Sequence, residues 1–274
     1  MNPEVIQRSF GPAISVDAIR PWRDAALLFV VLFLATLIAP LVDERLLNGI
    51  SVWTKPLKFQ ASLALHFATL ILLARLLPEA RRHGVGLRRL VAVTTAAGLF
   101  EIGYIMLQAA RGRASHFNNE TALEAFMYIL MGIGAVTLVV APFVMGLWLW
   151  RDYGRRLRSD PLRLAATLGL LFSAVLTLIV AGYMSGAGTH WVGDVTSDAG
   201  GLPLVGWSQR GGDLRVAHFF ATHGMQLLPL LGYVLRGQGT RGSFSVAAAT
   251  VGWLLFTVAV FLQALQGQPF FGLN

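Results

Sequence analysis

The 274-residue chain contains no cysteine. That absence excludes disulfides, thiolate metal ligands, iron–sulfur clusters and covalently attached c-type haem. Any metal chemistry therefore has to draw on histidine, carboxylate or methionine. Charge is also scarce: 13% of the residues are charged, against about a quarter in an average soluble domain. What fills the space is apolar, with 55% hydrophobic residues and a mean hydropathy of +0.62. In such a chain the net charge of +8 is not a nucleic-acid footprint, and no nucleic-acid partner is expected.

The apolar residues fall in runs long enough to cross about 30 Å of hydrocarbon at about 1.5 Å per helical residue. Seven such runs lie near 25–42, 57–77, 90–107, 123–149, 162–184, 214–235 and 244–265. They predict an all-α, polytopic membrane protein of seven transmembrane helices, organised as a single domain over 1–274. No internal repeat or low-complexity tail argues otherwise. The first run lacks a small-x-small cleavage site before Ala39-Pro40 and reads as a retained helix.

Basic residues set the direction. Arg8, Arg20, Arg23, Arg75, Arg81, Arg82, Arg88, Arg89, Arg151, Arg155, Arg156, Arg158, Arg163, Arg236 and Arg241 flank one side. Only Arg45, Lys55, Lys58, Arg111, Arg113, Arg210 and Arg215 flank the other. Because Lys and Arg in short loops stay in the cytoplasm, the N-terminus is expected inside and the C-terminus outside, in a multi-pass protein of the cytoplasmic membrane. Two known uses of seven helices fail on residues. A retinal Schiff base needs a lysine in the last helix, and the only lysines open the second span. A zinc site built on a histidine pair near the end of the last helix is equally excluded, since residues 245–265 contain no histidine.

The polar residues inside these spans cluster toward the outer face. Ser62, His66 and Thr69 share one face of the second helix, with His66 about 15 Å from its outer end. Glu101, Tyr104 and Gln108 share a face of the third, with Glu101 about 10 Å deep. A carboxyl at that depth is costly unless paired, protonated or wetted. On the sixth helix, entered after Asp213 as N-cap, His218 and His223 lie about 7 and 15 Å deep, and Gln226 shares the face of His223. The five-residue spacing turns these two histidines about 140° apart, so they do not chelate one ion as an i, i+4 pair would. Thr121 with Glu124 predicts a capping box at the start of the fourth helix. The outer loops add His116 and His190, the latter in a Gly-rich stretch long enough to fold as a lid. His83 lies in the basic inner loop and reads as solvated.

These residues point to a His/Glu site in the outer half of the bundle, with Glu101 as its catalytic or proton-handling group. Haem b is one expected occupant: His66 and His223, at matched depth on different helices, supply two axial imidazoles, and Arg215 is a cation for a propionate. A single Zn, Fe or Cu ion is the other, held by ligands from His66, His218, His223, Glu101 and His116. The protein would then be a membrane oxidoreductase or metalloenzyme acting on a quinone or lipid. The alternatives are a proton-coupled transporter using Glu101 and the histidines, or an assembly subunit docking a membrane or periplasmic partner. Membrane lipids are expected contacts in every case.

Overall fold

The computed structural model describes residues 16–272, so Arg8 of the basic set expected on the cytoplasmic side lies outside the described residues. The chain is mostly helical. Its long helices are α1 (Val16–Thr36), α2 (Thr54–Ala74), α3 (Val85–Ala110), α4 (Ala122–Tyr153), α5 (Pro161–Ala187), α6 (Leu214–Val234) and α7 (Gly239–Leu265). Strand among the described residues is confined to two-residue segments at Leu46–Leu47, Ile50–Ser51, Trp191–Val192 and Gly212–Asp213.

Six stretches of these helices are long and apolar enough to cross a membrane: Ala18–Val42, Thr54–Ala74, Val85–Ala110, Ala122–Ser159, Pro161–Ala187 and Gly239–Leu265. The protein is thus a helical, multi-pass membrane protein. α6 has 21 residues but is not among the six. Its Arg215, His218, Thr222, His223 and Gln226 dilute a sequence otherwise as apolar as its neighbours. The first span is also less regular than its apolar run suggests. α1 ends at Thr36, and a separate single turn follows over Ala39–Val42. Pro40 explains the break, because it brings no N–H and its ring clashes with the carbonyl one turn back.

Contacts group the chain into two compact units: Met1–Leu47 with Ser51–Gly154, and Asn48–Ile50 with Arg155–Asn274. Unit 1 holds α1–α4. Trp22 of α1 is fully buried and donates its indole N–H to Thr94 Oγ1 of α3 at 2.8 Å. Phe29 and Trp22 stack on Phe67 of α2, with ring centroids 5.9 and 6.4 Å apart. Gly98 of α3 allows this, since a Cβ there would stand 3.0 Å from the Phe67 ring. Between α1, α2 and α3, Gln60, 0% exposed, donates to Thr36 Oγ1 at 3.0 Å and reaches Met106 Sδ at 3.5 Å.

Unit 2 holds α5–α7, packed through small residues as membrane helices commonly are. A Cβ on Gly169 of α5 would stand 3.0 Å from the Gly224 carbonyl of α6, and one on Gly232 would overlap Ala165. Hydrogen bonds add direction to the packing. Thr177 and Thr222 hydroxyls meet at 3.1 Å between α5 and α6, and Trp253 of α7 donates to the Phe220 carbonyl at 3.0 Å.

Candidate functional site

In unit 1 one member of the α2 polar stripe, His66, reaches α4, while Ser62 is exposed. His66 is partly buried and forms a hydrogen bond with the backbone of Leu138 on α4. Its other ring nitrogen, Nε2, is buried and has no hydrogen-bond partner among the described residues. Glu101 comes to the same helix from α3. Its side chain is 1% exposed, and Oε1 is buried with no partner among the described residues. Gly134 makes the room: a Cβ there would stand 2.5 Å from Glu101 Oε1. Gly134 and Leu138 are one helical turn apart, so they share a face of α4 about 6 Å along its axis. The imidazole and the carboxyl thus converge on successive turns of one helix, each with an unsatisfied atom. Buried polar atoms are normally bonded, so each of these two unsatisfied atoms asks for a proton, a water or a ligand.

An apolar layer lies one turn nearer the C-terminal end of α3 and the N-terminal end of α4. Tyr104 and Ile105 follow Glu101 on α3, Met131 precedes Gly134 on α4, and all three are buried against Phe59 and Met127. Above it the loop of residues 111–121 is tied down by its own polar groups. Glu124, 2% exposed, accepts from Arg113 at 2.6 Å and has Arg111 at 3.6 Å. Gln108 donates to the Ala114 carbonyl at 3.1 Å and accepts from Arg111 at 2.7 Å. Thr121 caps α4 as its sequence predicts, accepting from the Glu124 N–H at 3.2 Å. The return half of the capping box differs: the Glu124 carboxylate is taken by arginines, which bind it more strongly than a backbone amide does.

His116, in this loop, is held among aromatic rings. Phe59, Tyr128 and Phe117 have centroids 5.8, 6.1 and 6.5 Å from it, and Ser115 Oγ lies 3.2 Å from Nδ1. Lys55 is placed over the Phe59 ring at 5.7 Å, and its charge reaches both His116 and Glu101. Burial first, and then the Lys55 charge, hold the His116 imidazole well below the ordinary histidine value.

Unit 2 holds the remaining candidates. Arg215 is not a free cation for a propionate. It pairs with Asp213 at 2.6 Å and Asp198 at 2.7 Å, and donates to the Gly206 carbonyl at 2.8 Å. His190 Nε2 lies 3.3 Å from Asp198, and Leu214 N–H donates to the His190 carbonyl at 2.9 Å. Asp213 also accepts from Ser208 N–H at 2.9 Å and caps α6 through Arg215 N–H. Burial opposes ionisation of Asp198, but His190 and Arg215 outweigh it and hold the carboxyl below its ordinary value. The stretch expected as a lid is therefore an ordered part of unit 2. Its Trp207 packs on Val180, Val216, Ala217 and Val260. On α6, His218 Nδ1 is buried and has no partner among the described residues, while His223 Nδ1 lies 3.3 Å from Gln226 Oε1, as their shared face predicts.

Of the expected site residues, His66, Glu101 and His116 belong to unit 1, and Arg215, His218 and His223 to unit 2. The expected haem ligands, His66 and His223, thus come one from each unit. Among the described residues, no three or more His, Asp or Glu side chains are grouped so as to hold a metal ion. Sequence reasoning missed Gly134, whose signal is a glycine mid-helix where propensity disfavours it. It also missed Gln60, an amide in an apolar run. His83 is exposed, as expected. Comparison with protein-family models, curated proteins and solved structures finds no match.

Proposed function

We propose that the protein is a proton-coupled transporter of the cytoplasmic membrane, with Glu101 as the proton-binding group and His66 as its partner in proton transfer. In this reading all seven long helices cross the bilayer, α6 included, with the N-terminus cytoplasmic and the C-terminus outside. One observation carries the assignment: the Glu101 carboxyl is buried against Gly134 with an oxygen that no described residue satisfies. An intramembrane carboxyl in that condition is costly to the fold, and its usual recompense is function. His66 supports it: one ring nitrogen bonds the backbone of Leu138, one turn from Gly134 on α4, and the other, Nε2, is buried with no partner among the described residues.

The test is infrared difference spectroscopy on protein in lipid nanodiscs, titrated across pH. A carboxylic-acid C=O band that titrates, and that Glu101→Gln removes while the protein stays folded, is the expected result. Absence of any titrating band assigned to Glu101 overturns the reading.

A second reading has one specific support. His66 Nε2 and Glu101 Oε1 are also an imidazole–carboxylate donor pair, the chemistry that suits Zn, Fe or Cu. Elemental analysis and an absorption spectrum of the purified protein separate the two. Stoichiometric metal or haem that is lost in both His66→Ala and Glu101→Gln favours a redox or Lewis-acid centre acting on a quinone or lipid.

A further inference from the structure

Proton exchange at Glu101 requires a route to water, and the outer approach in unit 1 is closed twice. The Phe59, Tyr104 and Met131 layer lies one helical turn along α3 and α4 from Glu101 and Gly134. Above that, His116 fills the space between Phe59, Phe117 and Tyr128. Phe59 belongs to both, so the imidazole rests on a residue that is itself part of the apolar seal.

We propose that the loop carrying His116 is the outer gate of the Glu101 site, docked while the imidazole is neutral and released when it is protonated. The inference rests on the proton-exchange reading of Glu101 and names how that site is regulated. Its basis is the socket. A ring packed at tilted and edge-on angles among three aromatic rings fits as a neutral imidazole, and an imidazolium would lie near the Lys55 ammonium.

Among the described residues, the other ionisable groups named around the socket do not offset that second charge. Lys55 of α2 is cationic and Tyr128 of α4 is a phenol. Glu124 of α4 is engaged by Arg113 and Arg111, Glu120 has Arg113 at 3.9 Å, and Glu101 of α3 lies below the apolar layer. The direction of the His116 shift agrees. A base whose docked value is depressed gives full docking stability above its ordinary value of about 6.5. That stability is lost as pH falls below this value toward the depressed one.

The experiment is hydrogen exchange of the 111–121 amides in the full chain in nanodiscs, at about pH 7.5 and about pH 5, corrected for chemical exchange rates. Opening is expected to rise by about tenfold or more at the lower pH. His116→Phe keeps a ring that cannot charge and should abolish the response. Lys55→Met removes the neighbouring cation and should reduce opening at about pH 5. A wild-type loop equally protected at both values overturns the gate, and so does a His116→Phe loop that keeps the wild-type response. Should His116→Phe fail to fold, an unchanged response in Lys55→Met overturns it.

Deuteration of the Glu101 acid band tests the link to the site, since it should accelerate at low pH in the wild type and not in His116→Phe. The two proposals fail separately. A responsive loop over a Glu101 that never exchanges ends the transport reading alone. An exchanging Glu101 beneath an indifferent loop ends the gate alone.

Discussion

Gly134 is the residue on which the geometry of the candidate site turns. Helix propensity alone says that alanine there should stabilise α4 by roughly 1 kcal/mol. The structure opposes that gain, because the new methyl would meet Glu101 Oε1 at 2.5 Å and Cδ at 3.4 Å. The obstructing atom is the far end of a flexible side chain, so it turns aside at a cost of about 1–3 kcal/mol. The two terms nearly cancel, and Gly134→Ala should melt within a few degrees of the wild type. The carboxyl itself has to move, so its infrared band should shift. An unshifted band at unchanged stability would show that Gly134 does not shape the surroundings of Glu101.

The same residue marks what the amino-acid order reveals and what it withholds. Period 3.6 placed His66 with Ser62, and Glu101 with Tyr104 and Gln108, on common faces. Intrahelical pairs such as His223 with Gln226 follow directly from that spacing. Periodicity gives a face but not the neighbour it meets, so Gly134 under Glu101 and Leu138 beside His66 were not legible. Gln108 shows the converse. It shares the Glu101 face, yet its amide is spent on the Ala114 carbonyl and Arg111 at the end of the helix.

At the scale of elements, order outside the helices comes from ionic ties. From sequence, the Gly-rich stretch before α6 reads only as long enough to fold as a lid, because composition there reports an absence of helix signals. Its order depends on contacts far apart in sequence: Trp191 pairs with Asp213 in a short antiparallel ladder, and Arg215 gathers Asp198, Asp213 and the Gly206 carbonyl. These ties carry a pH dependence. The Asp198 carboxyl is held below its ordinary value of 3.8, so its contribution is complete above that value and falls away as pH drops toward the lowered one. The 188–213 amides should therefore stay protected from neutral pH down to about pH 4 and exchange faster below it. Asp198→Asn should raise their exchange at neutral pH, consistent with a loss of about 1–3 kcal/mol for a charged hydrogen-bonded partner while Asp213 still holds Arg215. Equal protection in wild type and Asp198→Asn would show that Asp213 alone orders the stretch.

At the scale of the whole molecule, composition and apolar runs are enough for a helical membrane protein, because no soluble fold tolerates so many apolar runs of this length. They are not enough to number the spans. Six helical stretches pass on length and hydropathy, and α6 falls short because the polar residues that make it interesting are those that dilute it. Such dilution is expected of a spanning helix that lines a site, since its ionisable groups face the protein interior. α6 also carries Gly224 and Gly232 in close contact with α5, the packing by which buried membrane helices associate.

The Cys-free sequence makes the question directly testable. Single cysteines at exposed His83, Asn119, Asp194 and Gly237 can be probed with an impermeant maleimide in intact and permeabilised cells, with no background thiol. The positive-inside distribution predicts labelling of Asn119→Cys and Asp194→Cys from outside, and of His83→Cys and Gly237→Cys only after permeabilisation. Asp194 and Gly237 flank α6, so labelling of both from one side would mean that α6 does not cross, leaving six spans and both termini on one face. Reversal of the His83 and Asn119 pattern would invert the chain and place the His116 loop in the cytoplasm. The gate over Glu101 would then respond to cytoplasmic rather than external acid.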